Sequence, residues 1–399
     1  MNNTSVQLAG DPFLPPKTYL NFHDVLNSSP IFLHEYREKY DLMCVVLDRL
    51  ETCVKYLNAH TEYPKSEEDF LSFVMFACMV IDATAVLLDN LGIESQTERK
   101  QNKDYTYFGQ AIAASPLQVA QEKLPNDDRF FQYFRALAFA HPYTTDRYDF
   151  GRGKEVQYSP WVIVNSPAIN SDPAIKDTVG LCIYSNKLPD TVHLRIPFSS
   201  LKEYIQSRYL KLDLATKWAK QRIKEAQDDW KKQLVDRTGC PSDTFQAILE
   251  ICISRHWNTS YLKSIIRFLE CPLTCHANIL AVQRYRDALV KVLPSLCDAI
   301  ERVDEQAAEQ ILDSIMYIRP DTLHKGASYQ LEKIFGYLDE EYPGDIMWGR
   351  MQANAFSQEF AHKWVFIDAD NMSFTEIKLL INTACYLEQE SIQNGSSQQ

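Results

Sequence analysis

Residues 127–152 read DDRFFQYFRALAFAHPYTTDRYDFGR. The aromatic first half has helical spacing and carries Arg135 inward. It stops at His141-Pro142, because proline lacks an N–H and disfavours helical geometry in the residue before it. A polar turn with Thr144, Thr145, Arg147 and Arg152 follows before any strand-like pattern begins. The stretch therefore marks where a helical region hands over to a β region. Its Arg, His and Thr side chains are of the kind that hold a phosphate.

Upstream, the pattern is that of a helical bundle. Tyr36, Tyr40, Met43, Leu47, Leu50, Val54 and Leu57 recur at alternating spacings of four and three, one apolar stripe on a long helix. After Pro64, Ser66 with Asp69 marks a second helix start, and the run to Leu91 is apolar nearly all round before Gly92. Residues 93–114 suggest a surface connection, and Ser115-Pro116 a short helix ending before Pro125. Asn126 or Asp127 then caps the aromatic helix, completing a four-helix bundle over 31–150. Residues 1–30, with Pro12, Pro15 and Pro16, suggest an N-terminal arm without a helix.

Downstream, VQYSPWVIVN, VGLCIY and TVHLRIPF are short β-prone runs separated by turns, a small antiparallel meander over 151–200 with the bundle's edge at Gly151 and Gly153. Ser199 or Ser200 then caps a long basic helix over 201–238 that bridges two domains. Residues 239–391 suggest a helical C-terminal domain, with helices from Thr244 to about His256, Ser260 to Glu270, Ala277 to Ile300, Glu305 to Tyr317, Ser328 to Leu338, and a last one opened by Ser373 with Glu376 and ending near Gln389. Residues 392–399 suggest a disordered tail. The fold class expected is mainly α with a small β insertion.

The chain has 399 residues, 45% of them hydrophobic, enough for a sizeable core and for more than one domain. Ten cysteines at irregular spacing fit reduced thiols better than a disulfide framework. The apolar stretch from Phe70 to Ile81 is broken by Asp82 and is short for a membrane span. The first residues lack the basic and apolar regions of a secretory signal, so a cytoplasmic protein with no membrane partner is expected. A net charge of −12 argues against a surface coated for nucleic acid, yet positive charge is clustered. Residues 129–154 carry five Lys and Arg against two Asp, and residues 208–237 carry nine against five acids. A local anion-binding face and a solvated helix face of mixed charge both fit that pattern.

Arg135 and His141, with five residues between them at the end of a bundle helix, resemble the signature of the HEPN superfamily of small helical nucleotide-binding domains. The resemblance covers about residues 30–150, including two long helices followed by shorter ones. It also extends to bacterial proteins in which a FRALAFAHP-type segment precedes a strand-rich region. Where ribonuclease members commonly carry a polar residue directly after the arginine, this chain has Ala136. The resemblance implies an RNA-binding homodimer, and in catalytic members a metal-independent endoribonuclease of bacterial toxin or phage-defence systems, where an antitoxin is a further partner. No cofactor is implied. The chemistry agrees with such roles, since cleaving RNA calls for a group to manage the proton of the 2′-hydroxyl and a cation to stabilise the phosphorane. Imidazole and guanidinium suit these tasks, with Thr144, Thr145, Arg147 and Arg152 as further phosphate contacts. Residues six apart on an ideal helix lie about 240° apart, so one chain would need a distorted helix to bring Arg135 and His141 together. The alternative is a helical scaffold that binds a protein partner, with Arg135 paired to Asp82 or Asp89 and His141 merely ending the helix.

Cys252, His256, Cys271, Cys275 and His276 are ligand types for zinc, although their spacing is not that of paired zinc knuckles. Cys252 and His256, four apart on a helix, are equally core positions. The twelve glycines build neither a GxxxxGK[ST] phosphate loop nor a GxSxG elbow, and there is no HExxH.

Overall fold

A computed structural model describes residues 12–117, 119, 121–144, 155–164, 175–340 and 342–396. The fold is mainly helical with a small antiparallel sheet, and the chain divides into two compact units, 1–223 and 224–399.

In the first unit, α1 (Pro16–Asn27) begins where an arm was expected. Pro16 opens this helix rather than preventing it, because the first turn has no use for the N–H that proline lacks. Phe22 and Leu26 of α1 enter the core, and Leu14 ahead of it exchanges two backbone hydrogen bonds with the Asn58 amide, at 2.7 and 2.8 Å. A single helical turn, α2 (Ile31–His34), leads into α3 (Arg37–Ala59), which buries Met43, Leu47, Leu50, Val54 and Leu57 of the expected stripe, while Tyr36 stands at its N-cap and Tyr40 is half-buried.

Helix α4 (Glu67–Asn90) runs back along α3, with Tyr56 stacked on Phe76 at 3.9 Å. Its N-cap is Ser66, whose hydroxyl accepts from Asp69 N at 3.1 Å, and Gly92 beyond its end has φ +71°, a left-handed geometry that favours glycine. By length and composition alone α4 passes the test of a membrane-crossing helix, as a buried core helix also does, and 44% of its most apolar stretch is buried within the structure.

Two short helices, α5 (Gln96–Gln101) and α6 (Gly109–Ala113), occupy what was expected to be a plain connection. The short helix expected near Ser115 is replaced by a 3₁₀ turn at Gln121–Lys123. Helix α7 (Asp127–Arg135) follows and gives way to a π-helical turn at Ala136–Ala140, so the aromatic helix is shorter than its pattern suggested.

The sheet centres on β3 (Thr178–Ser185). β4 (Val192–Pro197) pairs along one edge, while β1 (Gln157–Tyr158) and β2 (Val162–Val164) share the other, all antiparallel. Tyr158 faces Tyr184 and Val162 faces Leu181, so four steps on one strand match three on the other, a bulge around Ser159-Pro160-Trp161. Gly180 admits no side chain, because a Cβ there would lie 2.0 Å from the Leu194 carbonyl oxygen.

The sheet is not a separate layer between domains. Phe198 at the start of α8 (Phe198–Leu210) packs on Phe73 of α4 at 5.1 Å, and the Tyr63 hydroxyl donates to the Thr178 carbonyl at 2.7 Å. The expected division near Gly151 and Gly153 lies outside the described residues, and the first unit continues through residue 223. The long basic helix is two helices, α8 and α9 (Leu212–Trp230), broken at Lys211, and the boundary between the units falls within α9. No serine side chain caps α8, since Pro197 stands at its N-cap.

The second unit is helical. Its helices are α10 (Pro241–Ser254), α11 (Ser260–Glu270), α12 (Ile279–Lys291), α13 (Leu293–Glu301), α14 (Glu305–Met316), α15 (Ala327–Tyr337), α16 (Ile346–Glu359) and α17 (Phe374–Ser396). The helix expected over Ala277 to Ile300 is split because Pro294 lies in the first turn of α13. α16 was not expected, and the expected tail is helical through Ser396, since extending a packed helix is far easier than nucleating one.

Candidate functional site

Three consecutive polar residues fix the start of α7. The Asn126 side chain accepts from Arg129 N at 2.8 Å, while its amide donates to the carbonyls of Arg99, Lys100 and Asn102 at 3.1, 3.2 and 2.8 Å. The Asp127 carboxylate accepts from the backbone amides of Tyr107 and Phe108 at 3.1 and 3.0 Å. Asp128 accepts from the Tyr204 hydroxyl at 2.9 Å and from Arg208 Nε at 2.8 Å. All three are buried. Burial raises the Asp127 carboxyl to about 6, against the two amides that lower it, and nearby Asp104 adds to the rise.

Fixing the N-terminus of α7 sets where its last turn falls. Phe130 and Phe134 fill the core, and the Tyr133 hydroxyl donates to Gln157 Oε1 at 2.5 Å. Arg135 emerges half-buried, and its Nη1 donates to Asp82 Oδ2 at 2.5 Å. Burial works against the charge on Arg135, but Asp82 outweighs it and raises the guanidinium further. Behind the pair, burial pushes the Cys78 thiol up to about 12 even with Arg135 beside it, so Cys78 stays protonated.

The helix then changes character. Pro142 cannot extend it, and His141 adopts φ −144° with its N–H donating to the Ala136 carbonyl at 2.6 Å, a five-residue turn. His141, Tyr143 and Thr144 are exposed, and Pro142 is tied to the sheet edge through its carbonyl, which accepts from Ser159 N at 2.8 Å. Thr145, Arg147 and Arg152 lie outside the described residues.

A cleft of about 90 Å³ opens beside α7, lined in part by Asp82, Arg99, Lys100, Asp128, Arg129 and Arg135. Four cations thus face two carboxylates, and Asp128 is already held by Arg208. The space admits water and is large enough for a small anion. His141 is not part of this lining, so a single chain places Arg135 in the cleft and His141 outside it. The arginine and lysine of the 93–114 segment were missed as site residues. The one signal for them was the Asn126-Asp127-Asp128 run, which holds more polar groups than a helix cap requires and so has to bind another segment.

The five zinc candidates are not gathered, and among the described residues no group of three or more His, Cys, Asp or Glu could hold a metal. Cys252 and Cys271 turn into the core of the second unit, and burial pushes the Cys252 thiol up to about 11. Metal binding needs thiolate, which such surroundings disfavour. His256 ends α10 in a left-handed conformation, φ +59°, while Cys275 is half-buried and His276 exposed. Searches of protein-family models, of curated proteins and of solved structures found no match to this chain.

Proposed function

We propose that the first unit binds RNA as a homodimer of HEPN-like character and cleaves it without a metal, in the manner of bacterial toxin or phage-defence ribonucleases. The observation that carries this reading is a half-buried guanidinium, Arg135, lining a cationic cleft, with exposed His141 one π-turn further on. In the reaction, the 2′-oxygen forms a bond to the adjacent phosphorus as His141 takes its proton. Arg135 neutralises charge on the phosphorane, and the bond to the 5′-oxygen breaks as a protonated imidazole, His141 of the second copy, supplies that oxygen's proton. A dimer provides both imidazoles, which one chain does not. Asp82 is mostly exposed, so exchanging it for a phosphate oxygen costs little.

The test is incubation of the full chain with total RNA in excess EDTA. Cleavage lost in both Arg135→Ala and His141→Ala, with circular dichroism unchanged, is the expected result. Wild-type cleavage in either variant, or an inactive wild-type chain, overturns the enzyme reading.

The second reading is a non-catalytic scaffold that recognises a protein partner, and the Arg135–Asp82 pair within one chain favours it. Asp82→Asn separates the two. Tighter RNA binding follows if Arg135 is directed at phosphate, whereas unchanged RNA binding follows if the pair is structural.

A further inference from the structure

A cleft in the C-terminal unit shares no residue with the proposed RNA chemistry. A cleft of about 500 Å³ opens between α11 and α15, floored by the end of α14. Helical spacing builds its walls, with Tyr261, Ser264 and Phe268 on one face of α11 and Ser328, Leu331 and Phe335 on one face of α15. Phe268, Leu331 and Met316 are buried, so the floor is apolar, while serine and tyrosine hydroxyls stand nearer the mouth. Small-molecule sites of roughly 300–1,000 Å³ combine such an apolar body with a few polar groups that fix orientation.

The orienting group here is Arg319. Its guanidinium lies 4.1 Å over the Tyr317 ring, and its Nη1 donates to the Ile318 carbonyl at 2.9 Å. Among the described residues no carboxylate forms an ion pair with it. Glu332, the acid in the wall, is held by Lys333 at 2.7 Å, and Asp313 acts on the Tyr261 hydroxyl. Arg255 in the same unit shows the contrast, since it spends three nitrogens on protein acceptors. Arg319 rests against an aromatic ring with one hydrogen bond among the described residues and most of its donors unspent, and a guanidinium fork suits two-point binding of a carboxylate.

We propose that this cleft binds a small organic monoanion, a carboxylate on an aromatic or branched apolar body. The carboxylate accepts from Arg319, and the body lies against Phe268, Met316 and Leu331.

Calorimetric titration of the full chain with 4-phenylbutyrate and with its neutral amide tests this. The acid is expected to bind one per chain, with the amide at least about tenfold weaker, the worth of a charge-assisted hydrogen bond. Arg319→Gln should bring the acid down to the level of the amide, and Ser328→Trp, which fills the mouth, should weaken both by at least about tenfold. No binding of the acid, equal affinity for acid and amide in the wild-type chain, or acid binding untouched by Ser328→Trp overturns the proposal. The wild-type comparison stands whether or not a variant folds.

Discussion

Arg208 and Arg255 are buried guanidiniums, one in each unit, and they are neutralised by opposite means. Arg208 meets carboxylates, with Asp128 at 2.8 Å and Asp104 at 2.9 Å, and lies 4.8 Å over the Tyr204 ring. Arg255 meets none. It donates to the Ile300 and Trp230 carbonyls at 2.6 and 2.8 Å and to the Gln233 side chain at 3.0 Å, beside the Trp257 ring. The consequences for its charge are opposite too. Burial works against both cations, but the carboxylates outweigh it and raise Arg208, while for Arg255 burial prevails and lowers it. A buried cation can thus be held by full charges, which ties stability to pH, or by backbone dipoles, which does not.

The largest effect should come from Arg208→Met. It leaves Asp128 buried and unpaired, and removing one partner of a buried ion pair costs about 3–5 kcal/mol. Urea unfolding, read by hydrogen exchange resolved to each unit, should show the loss in the first unit. Arg255→Met should cost less, about 2–3 kcal/mol, because the carbonyls it abandons are neutral. The same experiment should place that loss in the second unit. A larger loss at Arg255 than at Arg208 would break the comparison.

Acid sharpens it. Burial works against the charge on Asp104, yet Thr106 and Arg208 overcome it and hold the carboxyl at about 2. An unfolded aspartate titrates near ~3.9, so this contribution is present above about pH 4 and is lost as pH falls toward 2. The penalty of Arg208→Met should therefore shrink by about 1–2 kcal/mol between pH 7 and pH 2, after discounting for the partial exposure of Asp104. Asp127 runs the other way. Its raised value, about 6, gives stability that is full below ~3.9 and lost as pH rises through 6, a background common to wild type and variant. The penalty of Arg255→Met should stay flat over the same range, since its acceptors are carbonyl and amide oxygens. Parallel acid dependence in the two variants would remove the distinction.

The same contrast explains what was legible in the sequence. The α3 stripe, the Ser66 cap, the bounds of α11 and the opening of α17 by Ser373 with Glu376 are local patterns, readable at spacings of three and four. Pro16 is ambiguous in sequence because a proline's meaning depends on its position in the helix, and nothing before it marks Pro16 as a first turn. α16 is hidden in sequence because Ile346, Met347 and Met351 are exposed apolar residues, which blur the stripe that announces a helix. In sequence Arg208 is only one member of a basic run. Its partners lie 80 and 104 residues away in sequence, and no local spacing points to them. Arg135 was legible as a site candidate with Asp82 as one possible partner, but the cations around it, Arg99 and Lys100, sit on a segment read as a connection.

The smallest effect on stability should be at Arg135. Like Arg208 it bonds a carboxylate closely, so if partner count decided its worth, Arg135→Ala would approach the loss at Arg208. Asp82 is mostly exposed, however, and water screens the pair, which limits its contribution to under about 1 kcal/mol. Thermal unfolding of the first unit should barely move, while RNA binding, if Arg135 faces phosphate, falls at low salt and less so at high salt. A large stability loss with RNA binding unchanged would instead make Arg135 a structural residue on a par with Arg208, and the N-terminal unit a scaffold.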